Sequence, residues 1–152
     1  MVDRRNKILI LNGPNINLIG IRETNVYGGF YIEEVNHELS EFATNSCIDL
    51  EIFQSNYEGE LITKTQDVIE NPADFLILNP AGYTHTSIAW RDALLAINVP
   101  FIEVHISNVY AREEFRNKSF FSDIAVGVIT GLGENSYKLA MIYAVEYLLN
   151  KE

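Results

Sequence analysis

Five short apolar runs of strand length, with segments of helical spacing between them, constrain this 152-residue chain more than any other feature. The runs are Ile8 to Leu11, Leu50-Glu51-Ile52-Phe53, Phe75-Leu76-Ile77-Leu78, Phe101-Ile102-Glu103-Val104-His105-Ile106 and Ile124-Ala125-Val126-Gly127-Val128-Ile129. Strands read this way when both faces of their sheet are covered. Between them, Ile32, Val35, Leu39 and Phe42 recur at i, i+3, i+7 and i+10, one face of an amphipathic helix. Leu61 to Glu70 is a weaker helix closed by Asn71-Pro72, and Thr86 to Ile97 is closed by Asn98-Val99-Pro100. The last helix runs from Asn135 to Asn150, with Tyr137, Met141, Val145 and Leu148 on one stripe. Strand–helix alternation of this kind implies a parallel sheet with right-handed crossovers. The expected architecture is α/β, a flavodoxin-like, doubly wound five-stranded parallel sheet in the order 2-1-3-4-5. With no repeat, linker or low-complexity segment, residues 1–152 read as a single domain.

Composition excludes several functions. A net charge of −10 repels duplex nucleic acid and anionic membranes at long range, so neither is an expected partner. It does not exclude an anionic small substrate, because a pocket can hold its own arginines. The single Cys47 leaves no intramolecular disulfide and no multi-cysteine zinc site. No apolar run has the length of a secretory signal or a membrane span, which makes the cytoplasm the expected location. Asn12-Gly13-Pro14-Asn15 is neither a Walker loop nor a dinucleotide-binding glycine motif, and Gly131-Leu132-Gly133 lacks a third glycine at the required spacing. No cofactor and no metal are expected.

In a sheet of this order, the loops beyond the C-terminal ends of strands 1, 3 and 4 face one crevice. Each is rich in polar groups. After strand 1 come Asn12, Asn15, Arg22 and Tyr27, followed by Gly28-Gly29. After strand 3 comes Asn79-Pro80-Ala81-Gly82-Tyr83-Thr84-His85-Thr86-Ser87, and after strand 4 come His105, Ser107, Asn108, Arg112 and Arg116. Glu103 lies two residues before His105 and so on the same face of its strand. A carboxylate there can orient an imidazole and favour its protonated form, as a general acid requires.

Plainer uses exist for each group. The asparagines from Asn12 to Asn17 suit a turn, and Thr84, Thr86 and Ser87 suit a helix N-cap, whose free N–H groups also attract anions. His85 alone reads as a surface residue, and Glu103 with His105 could line a subunit contact. Arg112 and Arg116, at i and i+4, read as a solvated charged helix face. Trp90, Tyr143 and Tyr147 read as core or subunit contacts. Convergence of three separated segments on one place favours a site over these uses.

In order along the chain, Leu11-Asn12-Gly13-Pro14-Asn15-Ile16-Asn17-Leu18, Arg22-Glu23 with Tyr27-Gly28, and Gln54-Ser55-Asn56-Tyr57-Glu58-Gly59-Glu60-Leu61 resemble the type II 3-dehydroquinate dehydratases. So do the segments 79–87, 102–108, 111–116 and 127–133, which extend the resemblance over nearly the whole chain. Departures are small: Ile16 and Ile19 stand where leucine is commoner, and Tyr57 where histidine is frequent. The resemblance implies loss of water from 3-dehydroquinate to give 3-dehydroshikimate through an enolate, without cofactor. It implies Tyr27 as base, His105 as general acid and Asn15 as a stabiliser of the enolate through a water. Arg22 and Arg112 would hold Tyr27 in its reactive state. Asn79, His85, Ile106, Ser107 and Arg116 would bind the substrate's carboxylate and hydroxyls, and Asp92 would reach a neighbouring subunit's site in a homo-oligomer, a dodecamer. The segment from Asn17 to Gly29 would close as a lid, with Gly20, Gly28 and Gly29 as hinges. Of five lysines only Lys118 falls near the crevice, which argues against a lysine Schiff base. The competing class is a non-catalytic binding or signalling module of the same fold, which needs no convergence of Tyr27, His105 and arginines.

Overall fold

The computed structural model describes residues 3–21, 25 and 29–151. Five parallel strands form one sheet in the order β2-β1-β3-β4-β5: β1 (Lys7–Asn12), β2 (Asp49–Gln54), β3 (Phe75–Asn79), β4 (Phe101–His105) and β5 (Gly127–Thr130). The expected order is the one observed. Four helices cover the sheet: α1 (Ile32–Asn45), α2 (Glu58–Gln66), α3 (Ile88–Ile97) and α4 (Asn135–Leu149).

Strand alternation divides the core in two. Ile8, Ile10, Phe75, Ile77, Ile102 and Val104 pack with α1 and α4, whereas Leu9, Leu11, Leu76, Leu78 and Phe101 pack with α2 and α3. The stripe Tyr137, Met141, Val145 and Leu148 is buried as its spacing requires. On α1, Ile32, Val35 and Leu39 are buried, but Phe42 is exposed and Ala43 takes its place. At 100° per residue, a step of ten residues from Ile32 falls about 80° short of three turns, and a step of eleven overshoots by only about 20°.

Three boundaries differ from expectation. α2 begins at Glu58, before Leu61, and passes at Asp67 into a 3-10 turn. α3 begins at Ile88, where Ser87 Oγ accepts the Trp90 N–H at 3.1 Å, and Thr86 lies outside it behind a 3-10 turn, Ala81–His85. β5 begins at Gly127. Ile124 and Ala125 belong to a turn in which both N–H groups donate to the Phe121 carbonyl, so Ile124-Ala125-Val126 is apolar without being strand. Among the described residues, no helix is long and apolar enough to cross a membrane.

Candidate active site

The loop after β1 is shaped by close backbone approach. Gly13 N–H donates to the Asn79 carbonyl at 2.8 Å, and a Cβ at Gly13 would stand 2.3 Å from the Pro80 oxygen, so no larger residue fits without movement. Asn15 sits in the left-handed region at φ 67°, a conformation asparagine tolerates better than most. Its N–H donates to Asn56 Oδ1 at 3.0 Å, and Gln54 Nε2 donates to the Gly13 carbonyl at 3.1 Å. Tyr83 Oη donates to the Asn56 carbonyl at 2.7 Å. The end of β2 and the segment just past it therefore tie the β1 loop to the β3 loop. Sequence reasoning gave Gln54 and Asn56 no such part, although they fall inside the Gln54–Leu61 stretch that carries the resemblance.

The loops beyond β1, β3 and β4 enclose a cavity of about 190 Å³ at the C-terminal edge of the sheet. Asn15 lines it from the first loop, Asn79 and His85 from the second, and His105, Ile106, Ser107, Arg112 and Arg116 from the third. Every one of these was expected there. Arg22 and Tyr27 lie outside the described residues. Asp92 does not line the cavity; it is exposed on α3. Gly20 adopts φ 97°, and a Cβ there would come within 2.5 Å of the Tyr31 ring.

His105 ends β4 and is only 7 % exposed. Its Nε2 lies 3.5 Å from Oε2 of Glu103, which is itself buried. Both Glu103 oxygens are held from the other side, Oε1 by the Ser119 hydroxyl and Oε2 by the Ser122 hydroxyl. Burial pushes this carboxyl up, but the hydrogen bonds from His105, Ser119 and Ser122 together with the charge of His105 outweigh burial and hold it below the ordinary carboxylate value. A buried anion is thus maintained behind an imidazole whose Nδ1 is its other point of proton exchange. Sequence reasoning found Glu103 but missed the two serines, which carry no local signal of this contact.

His85 Nδ1 stands 2.6 Å from the Lys118 carbonyl, which can only accept, so Nδ1 carries the proton and Nε2 of the neutral ring is an acceptor. Burial, aided by the positive charges of His105 and Arg116, pushes His85 below the usual imidazole value despite that bond. Arg112 Nη1 donates to Ser107 Oγ at 3.4 Å, and Arg116 Nε donates to Glu113 at 2.5 Å. The two arginines do not share a helix face. Each follows or lies within a separate 3-10 turn, Val109–Ala111 and Glu114–Asn117, and this bend brings both guanidinium groups to the cavity. In a chain of net charge −10, they make the cavity locally suited to a carboxylate. The Lys118 ammonium sits over the Phe120 ring, 5.2 Å from its centroid, and does not line the cavity. Among the described residues, no group of His, Cys, Asp or Glu could hold a metal ion.

A family model described as dehydroquinase class II matches residues 6–145. The chain belongs to the class II dehydroquinase family. A 3-dehydroquinate dehydratase of Francisella philomiragia is 54% identical over 141 residues, 93% of this chain and 95% of that one. One from Haemophilus influenzae is 47% identical over 150 residues, 99% of this chain and all of its own length. The crystal structure of type II dehydroquinase from Butyrivibrio crossotus superposes with a TM-score of 0.89 at 43% identity, covering 93% of this chain and 98% of that one. The β2-β1-β3-β4-β5 sheet is therefore the sheet of the family, and the cavity lies where its strands end.

Proposed function

We propose that this class II dehydroquinase removes water from 3-dehydroquinate to give 3-dehydroshikimate, through an enolate, with Tyr27 as base and His105 as general acid. The observation that carries the reading is the placement of His105, backed by a buried, ionised Glu103, on the same cavity as Asn15, Asn79, Arg112 and Arg116. The Tyr27 phenolate takes a proton from the carbon alpha to the ketone, and the electron pair moves to the carbonyl oxygen. Asn15 stabilises that enolate through a water. As the enolate collapses, the bond to the beta hydroxyl breaks, and His105 supplies the proton that lets it leave as water.

Ionising a tyrosine of pKa about 10 at neutral pH costs about 4 kcal/mol. Arg22 and Arg112 lower that cost in a water-poor site. Arg116 holds the substrate carboxylate, while Asn79, His85 and the segment Ile106-Ser107 bind its oxygens. No cofactor enters this sequence of steps. The domain works as one unit over residues 1–152 and assembles as a homo-oligomer, a dodecamer, in which the exposed Asp92 reaches a neighbour's site.

The experiment adds 3-dehydroquinate to the purified chain and follows the ultraviolet absorbance of the conjugated enone. Wild type is to generate it, and Tyr27→Phe is to lose nearly all turnover while keeping its fold and product affinity. Borohydride added with substrate is to leave activity intact, because no imine forms. Normal turnover by Tyr27→Phe, or trapping of substrate on a lysine, refutes the mechanism.

A further inference from the structure

Behind the cavity lies a polar cluster of which the proposed function uses only Asn79. Asn12 and Asn79 end β1 and β3 as register partners, and both are buried. By strand alternation their side chains share the face covered by α4. There the Tyr137 hydroxyl, from the first turn of α4, meets both: Tyr137 Oη donates to Asn12 Oδ1 at 2.7 Å and accepts from Asn79 Nδ2 at 2.8 Å. Tyr137 is 1 % exposed, and burial pushes its phenol well above the ordinary value, so the hydroxyl keeps its proton and stays a donor.

The direction of every bond in this chain is fixed by one backbone group. Ala81 N–H, which can only donate, points at Asn79 Oδ1 at 3.2 Å. The oxygen of the Asn79 carboxamide is thereby identified, and its nitrogen must be the atom facing Tyr137. The tyrosine then accepts from Asn79, and its own proton goes to Asn12. A planar amide with its oxygen and one N–H engaged cannot rotate. The second Nδ2–H is the one donor it has left, and Asn79 lines the cavity.

We propose that Tyr137 is a positioning residue for substrate binding: held by Asn12, its hydroxyl orients the Asn79 carboxamide so that the remaining N–H meets an acceptor oxygen of the substrate. The inference rests on the function proposed above. Tyr137 touches no substrate and acts only through Asn79. Without the hydroxyl, the Ala81 N–H alone holds the Asn79 amide, and its nitrogen is no longer fixed where the substrate needs a donor.

The test is Tyr137→Phe, which keeps the ring and its packing. KM for 3-dehydroquinate is to rise about tenfold, the scale of one lost hydrogen bond in a buried site, with kcat nearly unchanged. Asn79→Ala is to raise KM by itself but add little in the Tyr137→Phe background, because the two residues act as one unit. Asn12→Leu, which removes the acceptor and leaves the tyrosine in place, is to raise KM in the same direction and covers the case in which Tyr137→Phe does not fold. A crystal structure of the folded variant is to show the Asn79 amide turned away from Ala81. A variant that loses melting temperature alone, with KM unchanged, the Asn79 effects additive and the Asn79 rotamer intact, overturns the proposal. An inactive wild type refutes the proposed function instead, and the rotamer readout still decides the link between Tyr137 and Asn79.

Discussion

Glu103→Gln probes the buried anion behind His105 with the least change of shape. The Glu103 carboxylate stands 3.5 Å from His105 Nε2, and at an effective dielectric constant of about 20 that separation gives about 5 kcal/mol of attraction to a protonated imidazole. Glutamine has the same outline and no charge, so the protonated ring loses this attraction. Realising only a third of it, about 1.6 kcal/mol, reduces turnover at pH 7 by more than tenfold, since about 1.4 kcal/mol is one factor of ten. The defect is to fall on kcat while product affinity changes little, because the charged ring matters most as the hydroxyl leaves. The assay is kcat and product affinity, with circular dichroism as the check of fold. A loss confined to product affinity, or none at all in a folded variant, refutes the reasoning. The same substitution has a stability signature. The folded pKa of Glu103 lies below its ordinary 4.5, so its contribution is present above that value and is lost as pH falls through the folded pKa. Wild type is therefore to lose more stability than Glu103→Gln during acid titration below pH 4.5.

His105→Ala is to lower kcat by about a hundred- to ten-thousand-fold while product affinity changes far less, the signature of general acid catalysis; near-normal turnover would transfer the role to His85. Gly13→Ala places a Cβ 2.3 Å from the Pro80 oxygen, so the β1 and β3 loops must part, at a cost of about 1–3 kcal/mol that a thermal melt would register together with a raised KM. Light scattering is to find a large symmetric oligomer; a stable, fully active monomer would refute the part given to Asp92.

Periodicity carried most of the fold. The two-sided core and the α4 stripe from Tyr137 to Leu148 follow from which residues are apolar and how far apart they fall, because burial in a regular element repeats with that element's own period, while the strand order was read from the common pattern of doubly wound sheets. The gathering of Asn15, Asn79, His85, His105, Arg112 and Arg116 was legible for a related reason: parallel strands deliver all their C-terminal loops to one edge. Tertiary contacts decided the rest. Ile124-Ala125-Val126 is as apolar as any strand, yet its first two residues turn on the Phe121 carbonyl, inside a segment moored to Glu103 by Ser119 and Ser122. Tyr137 reads in the sequence as one more core position, and only folding brings its hydroxyl to Asn12, 125 residues away. A hydrophobic pattern records how deeply a residue is buried; the partner of a buried polar atom is chosen by whichever distant segment the completed fold sets beside it, and no local spacing encodes that choice.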